Sequence, residues 1–404
     1  MRNNSSEINF WPFLLLTLGL LSCSLINSPG TIDVHTWMRW TQDYLDYGPA
    51  AGYAHNKTDY PPLMIFIFYL FAKGLAPIGI GSFGAVKIAI LFFSFLATSL
   101  FFYWTKNYAL TALFHLSFII NSVCLGYADV ILSSFLIFSL MQLQRGNLLL
   151  FSTLFSLAIF IKWQALIISP FLFLYIFSFN TKDRPDQIKN LKETLIPFLL
   201  VSSLIILGFG ANDLYGAFTW AFHHRWLSGY ALNAHWVLTF LYRVFSPEIF
   251  GGLDSGEISY ISTEHPPMTF LLAKFLFLSG FCYVLFVFAR IKSSFENLLA
   301  FSLAGYLLYF TFNTGVHENH LFLAVIIGLL LTAINTSYLT LTLYIALAFN
   351  INMLFFYGID GRFHFARVIS DTVDPTVLFA LLNTALFSYA CYALLATGKE
   401  QLKN

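Results

Sequence analysis

The chain is 404 residues long and strongly apolar: 58% of its residues are hydrophobic, 19% are aromatic and only 10% are charged. A chain this poor in charge cannot form an ordinary water-facing surface, which excludes a water-soluble globular protein and predicts an integral membrane protein. The formal net charge is +1 and no block of basic residues occurs, so nucleic acid is not an expected partner.

Twelve apolar stretches are long enough, or nearly so, to cross a bilayer as helices. They lie at about 10–28, 84–104, 108–125, 128–143, 147–162, 165–180, 194–212, 266–289, 296–314, 319–335, 337–356 and 375–396. A further apolar run, from Pro61 to about Pro77, is assigned to the outer interface, because counting it as a span gives an odd number and spoils the charge pattern. We therefore expect an all-α integral membrane protein with about twelve transmembrane helices in a single domain, residues 1–404.

The loops between these spans divide by charge. Lysine and arginine concentrate on one face, as at Lys106, Arg145 and Arg290, and the positive-inside rule makes that face cytoplasmic, together with both termini. Most acids fall on the opposite, non-cytoplasmic face. Two long segments on that face, at about 29–83 and 213–265, are expected to roof a cavity.

The first outer segment holds two candidate catalytic acids. Asp33 follows directly after the first span, and Asp59 precedes Tyr60 and a Pro-Pro pair. A carboxylate at the edge of the membrane is costly unless it is used or paired. Solvated loop acids beside a helix that begins at proline are the plain alternative.

Three short turns add polar groups to the same face. Asp129 ends the turn Gly-Tyr-Ala-Asp between two spans, where a helix cap is an equal alternative. Lys162 stands alone between apolar helices, either as a functional cation or as a snorkelling lysine. His317 and Glu318 precede a late span, and a second histidine three residues later resembles a metal pair that lacks a third ligand. Together these groups favour one site on one face.

These motifs resemble those of the GT-C superfamily of membrane glycosyltransferases, which use polyprenyl-phosphate sugars as donors. The resemblance covers about residues 29–325. The first outer segment is similar to that of dolichyl-phosphate-glucose glucosyltransferases of N-glycan assembly and of bacterial mannosyltransferase-like relatives. The later similar motifs are Gly126-Tyr127-Ala128-Asp129, Lys162-Trp163-Gln164-Ala165, residues 227–236 and Val316-His317-Glu318-Asn319-His320. The resemblance implies a GT-C fold, with interfacial helices in the long outer loops.

The resemblance also implies an activity. We expect an inverting transfer of a hexose, glucose or mannose, from a polyprenyl-phosphate donor to a lipid-linked or cell-surface glycan acceptor, on the periplasmic, extracellular or ER-lumenal face. An acceptor hydroxyl needs a base, for which Asp33 is the candidate, with Asp59 orienting the loop or the acceptor. Contacts to the donor are expected from Lys162, His317, Glu318, Arg225 and Asp129. Contacts to the acceptor or the sugar are expected from His35, Trp37, Tyr60 and Asn233.

Two departures from the superfamily pattern bear on the site. Asn319 and His320 stand where bacterial relatives usually have Arg-Tyr, which affects the contact to the donor phosphate. The second acidic turn has a single acid, so we expect a metal-independent enzyme without a cofactor. For the cluster 223–226, which contains Arg225, an amphipathic interfacial segment is an equal alternative.

A transporter or flippase for a polar or lipid-linked solute is the alternative function. Such proteins place polar groups near the middle of the bilayer, whereas here the spans carry almost no charge, with Lys87 and Lys274 as the main exceptions. The distribution of charge therefore favours an enzyme whose site lies at the membrane surface. A non-catalytic subunit that kept the fold is a third interpretation.

Overall fold

The computed structural model describes residues 10–177, 184–222, 226–253, 258–262, 267–362 and 374–401. Within these ranges the chain is almost entirely helical, apart from one parallel pair of two-residue strands. The prediction of an all-α protein is confirmed at this level. The helices are numbered α1 to α18 in chain order.

The first part of the chain contains α1 (Trp11–Leu25), α2 (Ile32–Tyr47), α3 (Pro49–Asn56), α4 (Pro62–Leu75), α5 (Ser82–Thr105), α6 (Tyr108–Phe118), the π-helical segment Ile119–Cys124, α7 (Asp129–Gln144), α8 (Leu148–Ile161), the 3-10 segment Trp163–Ile168 and α9 (Ser169–Phe177). The middle contains α10 (Arg184–Phe209), α11 (Ala211–Phe222), β1 (Ser228–Gly229), α12 (Ala234–Phe245) and α13 (Pro247–Phe250). The last part contains α14 (Pro267–Phe288), α15 (Phe295–Phe312), β2 (Val316–His317), α16 (Phe322–Ile334), α17 (Leu339–Tyr357) and α18 (Pro375–Gln401).

The lengths of these helices indicate a membrane-embedded protein. In the described ranges, α5, α10, α14, α15, α17 and α18 are long and apolar enough to cross a membrane, and seven shorter apolar helices accompany them. Each of the twelve predicted apolar stretches coincides with one of these helices. The number of true spans, about twelve, stays a prediction.

The centre of the bundle is formed by α7 and α16, which are buried along nearly their whole length. Helix α7 packs against α5 and α8, and α16 packs against α15 and α17. Several helices begin at side chains that bond the free backbone groups of the first turn, as Asn107 does for α6, Asn147 for α8 and Ser294 for α15. The turn before α7 and the loop before α16 are attached to these buried helices at one end of the bundle.

Helix α4 is the apolar run that was assigned to the interface. It begins three residues after Asp59, and six residues separate its end from the start of α5. Near the start of α5, the ammonium group of Lys87 donates to the carbonyl oxygens of Val123 (2.7 Å) and Cys124 (3.2 Å), directly before the turn that leads to α7. The start of α5 therefore lies at the same end of the bundle as the turn that leads to α7.

Candidate functional site

A cavity of about 450 Å³ lies at this end of the bundle, bordered by α2, the segments around residues 60 and 162, and the loop between α15 and α16. Seven of the side chains singled out from the sequence line it. They are Asp33, Trp37, Asp59, Tyr60, Lys162, His317 and Glu318. The sequence had separated these residues by up to 285 positions, counted from 33 to 318. The structure brings them to one site.

The start of α2 places Asp33 at the cavity. The hydroxyl of Thr31 accepts a hydrogen bond from the Asp33 amide (3.4 Å) and caps the helix, so that Asp33 occupies its first turn. One helical turn later, the indole of Trp37 donates to the carbonyl oxygen of Gly126 (3.1 Å). Gly126 has φ +79°, and a Cβ there would lie 2.1 Å from a methyl carbon of Val34. Only glycine allows α2 to approach this turn so closely.

The segment that carries Asp59 and Tyr60 is held by its backbone. The carbonyl oxygen of Tyr60 accepts from the Tyr53 hydroxyl (3.0 Å), and that of Asp59 accepts from the Trp163 indole (3.1 Å). The ring of Tyr60 meets the ring of Trp37 edge to face, with centroids 5.0 Å apart. The Trp163 indole thereby fixes Asp59 beside the neighbouring Lys162. The side chains of Asp59 and Tyr60 are thereby directed to the cavity.

Lys162 and Asp129 form a buried ion pair at the base of the cavity. The second carboxylate oxygen of Asp129 accepts from the side-chain amides of Asn121 (3.0 Å) and Asn319 (3.0 Å). The ammonium group of Lys162 also lies 4.9 Å from the centroid of the Phe322 ring. Lys162 lines the cavity and Asp129 lies behind it. The charge of Lys162 is therefore already matched by a carboxylate.

Glu318 is a second carboxylate of the cavity and is nearly fully buried, with 4% of its surface exposed. One of its oxygens accepts from the hydroxyls of Tyr127 (2.5 Å) and Tyr357 (3.3 Å). The other oxygen has no hydrogen-bond partner in the described part of the chain and lies 3.8 Å from Nδ1 of His317. Burial alone opposes ionisation, but the interactions with His317 and Tyr127 outweigh it and lower the pKa of Glu318.

The cavity shifts the pKa of Asp33 in the opposite direction to that of Glu318. Loss of solvation and, next, the charge of Glu318 raise its pKa to about 7, against the weaker opposing effects of His317 and Lys162. Two carboxyl groups in one cavity thus differ in their readiness to lose a proton. Glu318 holds a negative charge, whereas Asp33 can exchange a proton near neutral pH.

His317 is positioned by backbone pairing. The strands β1 and β2 run parallel, with Gly229 opposite His317 and Ser228 opposite Val316. The amide of Glu318 also donates to the carbonyl oxygen of Gly229 (3.1 Å), and the ring of Trp226 lies 5.1 Å from that of His317. The segment 226–230 from the second long outer loop therefore fixes the histidine at the cavity wall.

Asn319 and His320 have structural contacts. Asn319 bonds Asp129, as described above, and the ring of His320 bonds the side chains of Gln164 (2.9 Å) and Tyr309 (2.9 Å). The rings of His317 and His320 lie 5.2 Å apart. In the described ranges, no group of three histidine, cysteine or acidic residues is arranged to hold a metal ion.

Three described residues that were expected at the site do not line the cavity. His35 is exposed on the outer side of α2, and Asp129 lies behind Lys162. Asn233 is buried, where its side chain caps α12 and donates to the carbonyl oxygen of Phe310 (2.8 Å). Arg225 lies outside the described residues, as do the two histidines before it.

Several cavity residues were not assigned a role from the sequence. They are Tyr127, Tyr357, Tyr309, Lys274 and Thr314. The tyrosines give no signal in a chain with 21 of them. Lys274 does give a signal in the sequence, because a lone cation in an apolar span is costly and calls for a functional explanation.

No protein-family model matches the chain, and no curated protein matches its sequence.

Proposed function

We propose that the chain is an inverting glycosyltransferase that moves a hexose from a polyprenyl-phosphate donor to a glycan or glycolipid acceptor at the non-cytoplasmic face of a membrane. The observation that carries this proposal is Asp33: a carboxyl group of the cavity wall whose pKa is raised to about 7. A base of this strength is well matched to removing a proton from a hydroxyl near neutral pH.

The reaction is a single displacement. The acceptor hydroxyl oxygen bonds to the anomeric carbon while the bond from that carbon to the phosphate oxygen breaks. The hydroxyl proton passes to Asp33, and the electron pair of the broken bond leaves on polyprenyl phosphate. Attack from the side opposite the leaving group inverts the anomeric configuration.

The carboxylate of Asp33 is suited to this role because no described group donates a hydrogen bond to it. Its proton-accepting oxygens are therefore available to a hydroxyl in the cavity. Glu318 keeps its charge beside His317, and that charge raises the pKa of Asp33. Trp37, Trp40 and Tyr60 line the same wall and offer aromatic faces to a sugar ring.

The position of the cavity supports a lipid-linked donor. It lies at one end of a bundle of apolar helices, so a prenyl chain can stay among those helices while its sugar reaches the polar groups. The positive-inside distribution of lysine and arginine assigns this end to the non-cytoplasmic side. An enzyme at this position can reach the sugar of a donor whose prenyl chain stays in the membrane.

The proposal is tested with the purified full chain in lipid nanodiscs, supplied with radiolabelled polyprenyl-phosphate glucose or mannose and a membrane glycolipid extract. We expect release of polyprenyl phosphate with transfer of label to the extract, and a loss of at least about 100-fold in Asp33→Asn, the range for a general base. Asp46→Asn, on the exposed side of the same helix, is the matched control. Saturable solute uptake by vesicles, without cleavage of any lipid-linked sugar, would instead support a transporter.

A further inference from the structure

The cavity contains two lysines, and their charges are balanced differently. Lys162 pairs with Asp129 at the base of the cavity. Lys274 projects from α14, lines the cavity, and bonds a neutral group, the side-chain oxygen of Asn313 (2.7 Å). No acidic side chain pairs with Lys274 in the described part of the chain. Among the described residues, Lys274 is therefore the cavity lysine that has no acidic partner.

A second, independent feature lies beside Lys274. Thr314 follows Asn313 in the chain, lines the cavity and is only 4% exposed. Its hydroxyl has no hydrogen-bond partner among the described residues. A buried hydroxyl without a partner is uncommon in a folded protein and calls for an explanation, and a bound ligand is one. An ammonium group and a hydroxyl donor that line one cavity suit a phosphate oxygen.

This corner of the cavity is also next to the lipid-facing surface. Leu271 and Phe275, on either side of Lys274 in α14, are 60% and 66% exposed. Across the cavity, Phe222 at the end of α11 is 57% exposed and lines the same space. Helix α14 packs on α9, α15 and α18, and α11 packs on α10, with no extensive packing of α11 on α14 in the described ranges. The described residues of α11 and α14 therefore carry exposed apolar side chains at the border of the cavity.

We propose that Lys274 and Thr314 bind the phosphate of a polyprenyl phosphate whose chain reaches the cavity between α11 and α14. This inference rests on the proposed function and deepens it, because it assigns the donor phosphate to the α14 side of the cavity and the sugar to the side of Asp33. Lys162, already paired, then stabilises the base of the cavity and contributes less to phosphate affinity.

The test measures binding and does not depend on turnover. The full chain in nanodiscs is titrated with undecaprenyl monophosphate, with the unphosphorylated polyprenol and with inorganic phosphate, and the Kd is read from intrinsic tryptophan fluorescence. The variants are Lys274→Gln, which removes the charge but can still donate to Asn313, and Lys274→Arg, which keeps the charge. Thr314→Val removes the unpaired hydroxyl at nearly constant volume, and Lys73→Gln, an exposed lysine of α4, is the control.

We expect Lys274→Gln to weaken the binding of undecaprenyl monophosphate about tenfold or more, since a hydrogen bond to a charged group is lost. Thr314→Val should weaken it less without lowering the melting temperature, and Lys73→Gln should leave it unchanged. Wild-type affinity in Lys274→Gln would overturn the proposal. Equal affinity for inorganic phosphate and for undecaprenyl monophosphate would contradict a contact of the polyprenyl chain between α11 and α14.

Transfer assays separate this inference from the proposed function. If sugar transfer occurs and Lys274→Gln leaves the donor KM unchanged, the glycosyltransferase assignment stands and the phosphate site is wrong. If no sugar is transferred but binding of the lipid phosphate depends on Lys274, the phosphate site stands and the assigned reaction is wrong.

Discussion

The ammonium group of Lys162 forms an ion pair with the carboxylate of Asp129, and the two side chains are 5% and 0% exposed. Two further donors, the amides of Asn121 and Asn319, complete the bonding of Asp129. Four separate segments of the chain therefore meet at this single carboxylate. Removal of the Asp129 carboxylate should therefore destabilise the whole fold and not only the cavity.

The first prediction concerns that pair. Asp129→Asn leaves the Lys162 charge buried without a counterion, so we expect a loss of about 3–5 kcal/mol of stability, measured as a lower melting temperature in detergent. The double variant Lys162→Met with Asp129→Asn should regain part of the loss, because no unpaired charge remains. Lys189→Ala, which breaks an exposed pair with Glu193, should cost at most about 1 kcal/mol. Equal losses for the buried and exposed pairs would contradict the description of the network.

A second prediction concerns stability and pH. The folded chain keeps a proton on Asp33 up to about pH 7, whereas the carboxyl group of the unfolded chain loses it near pH 4. The folded state therefore binds more protons between these values, and Asp33 lowers stability as the pH rises from about 4 to about 7. Asp33→Asn removes this dependence, so its melting temperature relative to wild type should be higher at pH 8 than at pH 5. Thermal unfolding at both pH values checks this, and an identical difference at both would contradict it.

A third prediction concerns the bond between α2 and the turn before α7. Trp37→Phe removes the donor to the Gly126 carbonyl oxygen, which should cost about 1 kcal/mol and lower kcat by displacing Asp33. Trp104→Phe also removes an indole hydrogen bond, to the side chain of Gln144 (2.6 Å), at an exposed position near the end of α5. This control should lose less stability and keep its kcat. Equal kcat values in both variants would remove Trp37 as a positioning residue.

Much of the fold could be predicted from the sequence, because long apolar runs in a chain this poor in charge can only be helices. The interfacial assignment of Pro61–Pro77 stays a prediction. The sequence also marked Asp33, Lys162 and His317, since isolated polar groups beside apolar spans stand out. It could not show that Asp129 would be turned to Lys162, because that pairing depends on how α7 and α8 pack.

The partners of Glu318 illustrate what the sequence could not show. Tyr127 and Tyr357 are 230 positions apart, and both donate to the same oxygen. Tyrosine is common at membrane interfaces, so neither residue differs from an ordinary anchor in the sequence. His35 shows the converse: it stands two residues from Asp33, yet helical geometry turns it to the opposite side.

The pH dependence of the transfer rate tests the role of Asp33 most directly. With polyprenyl-phosphate hexose well below its KM, we predict that the wild-type kcat/KM rises with pH to a plateau with a midpoint near 7, as Asp33 becomes a base. Glu318→Gln should move that midpoint to lower pH, because the charge of Glu318 raises the pKa of Asp33. The same rise in Asp33→Asn, with an unreduced rate, would contradict the assignment of Asp33 as the base.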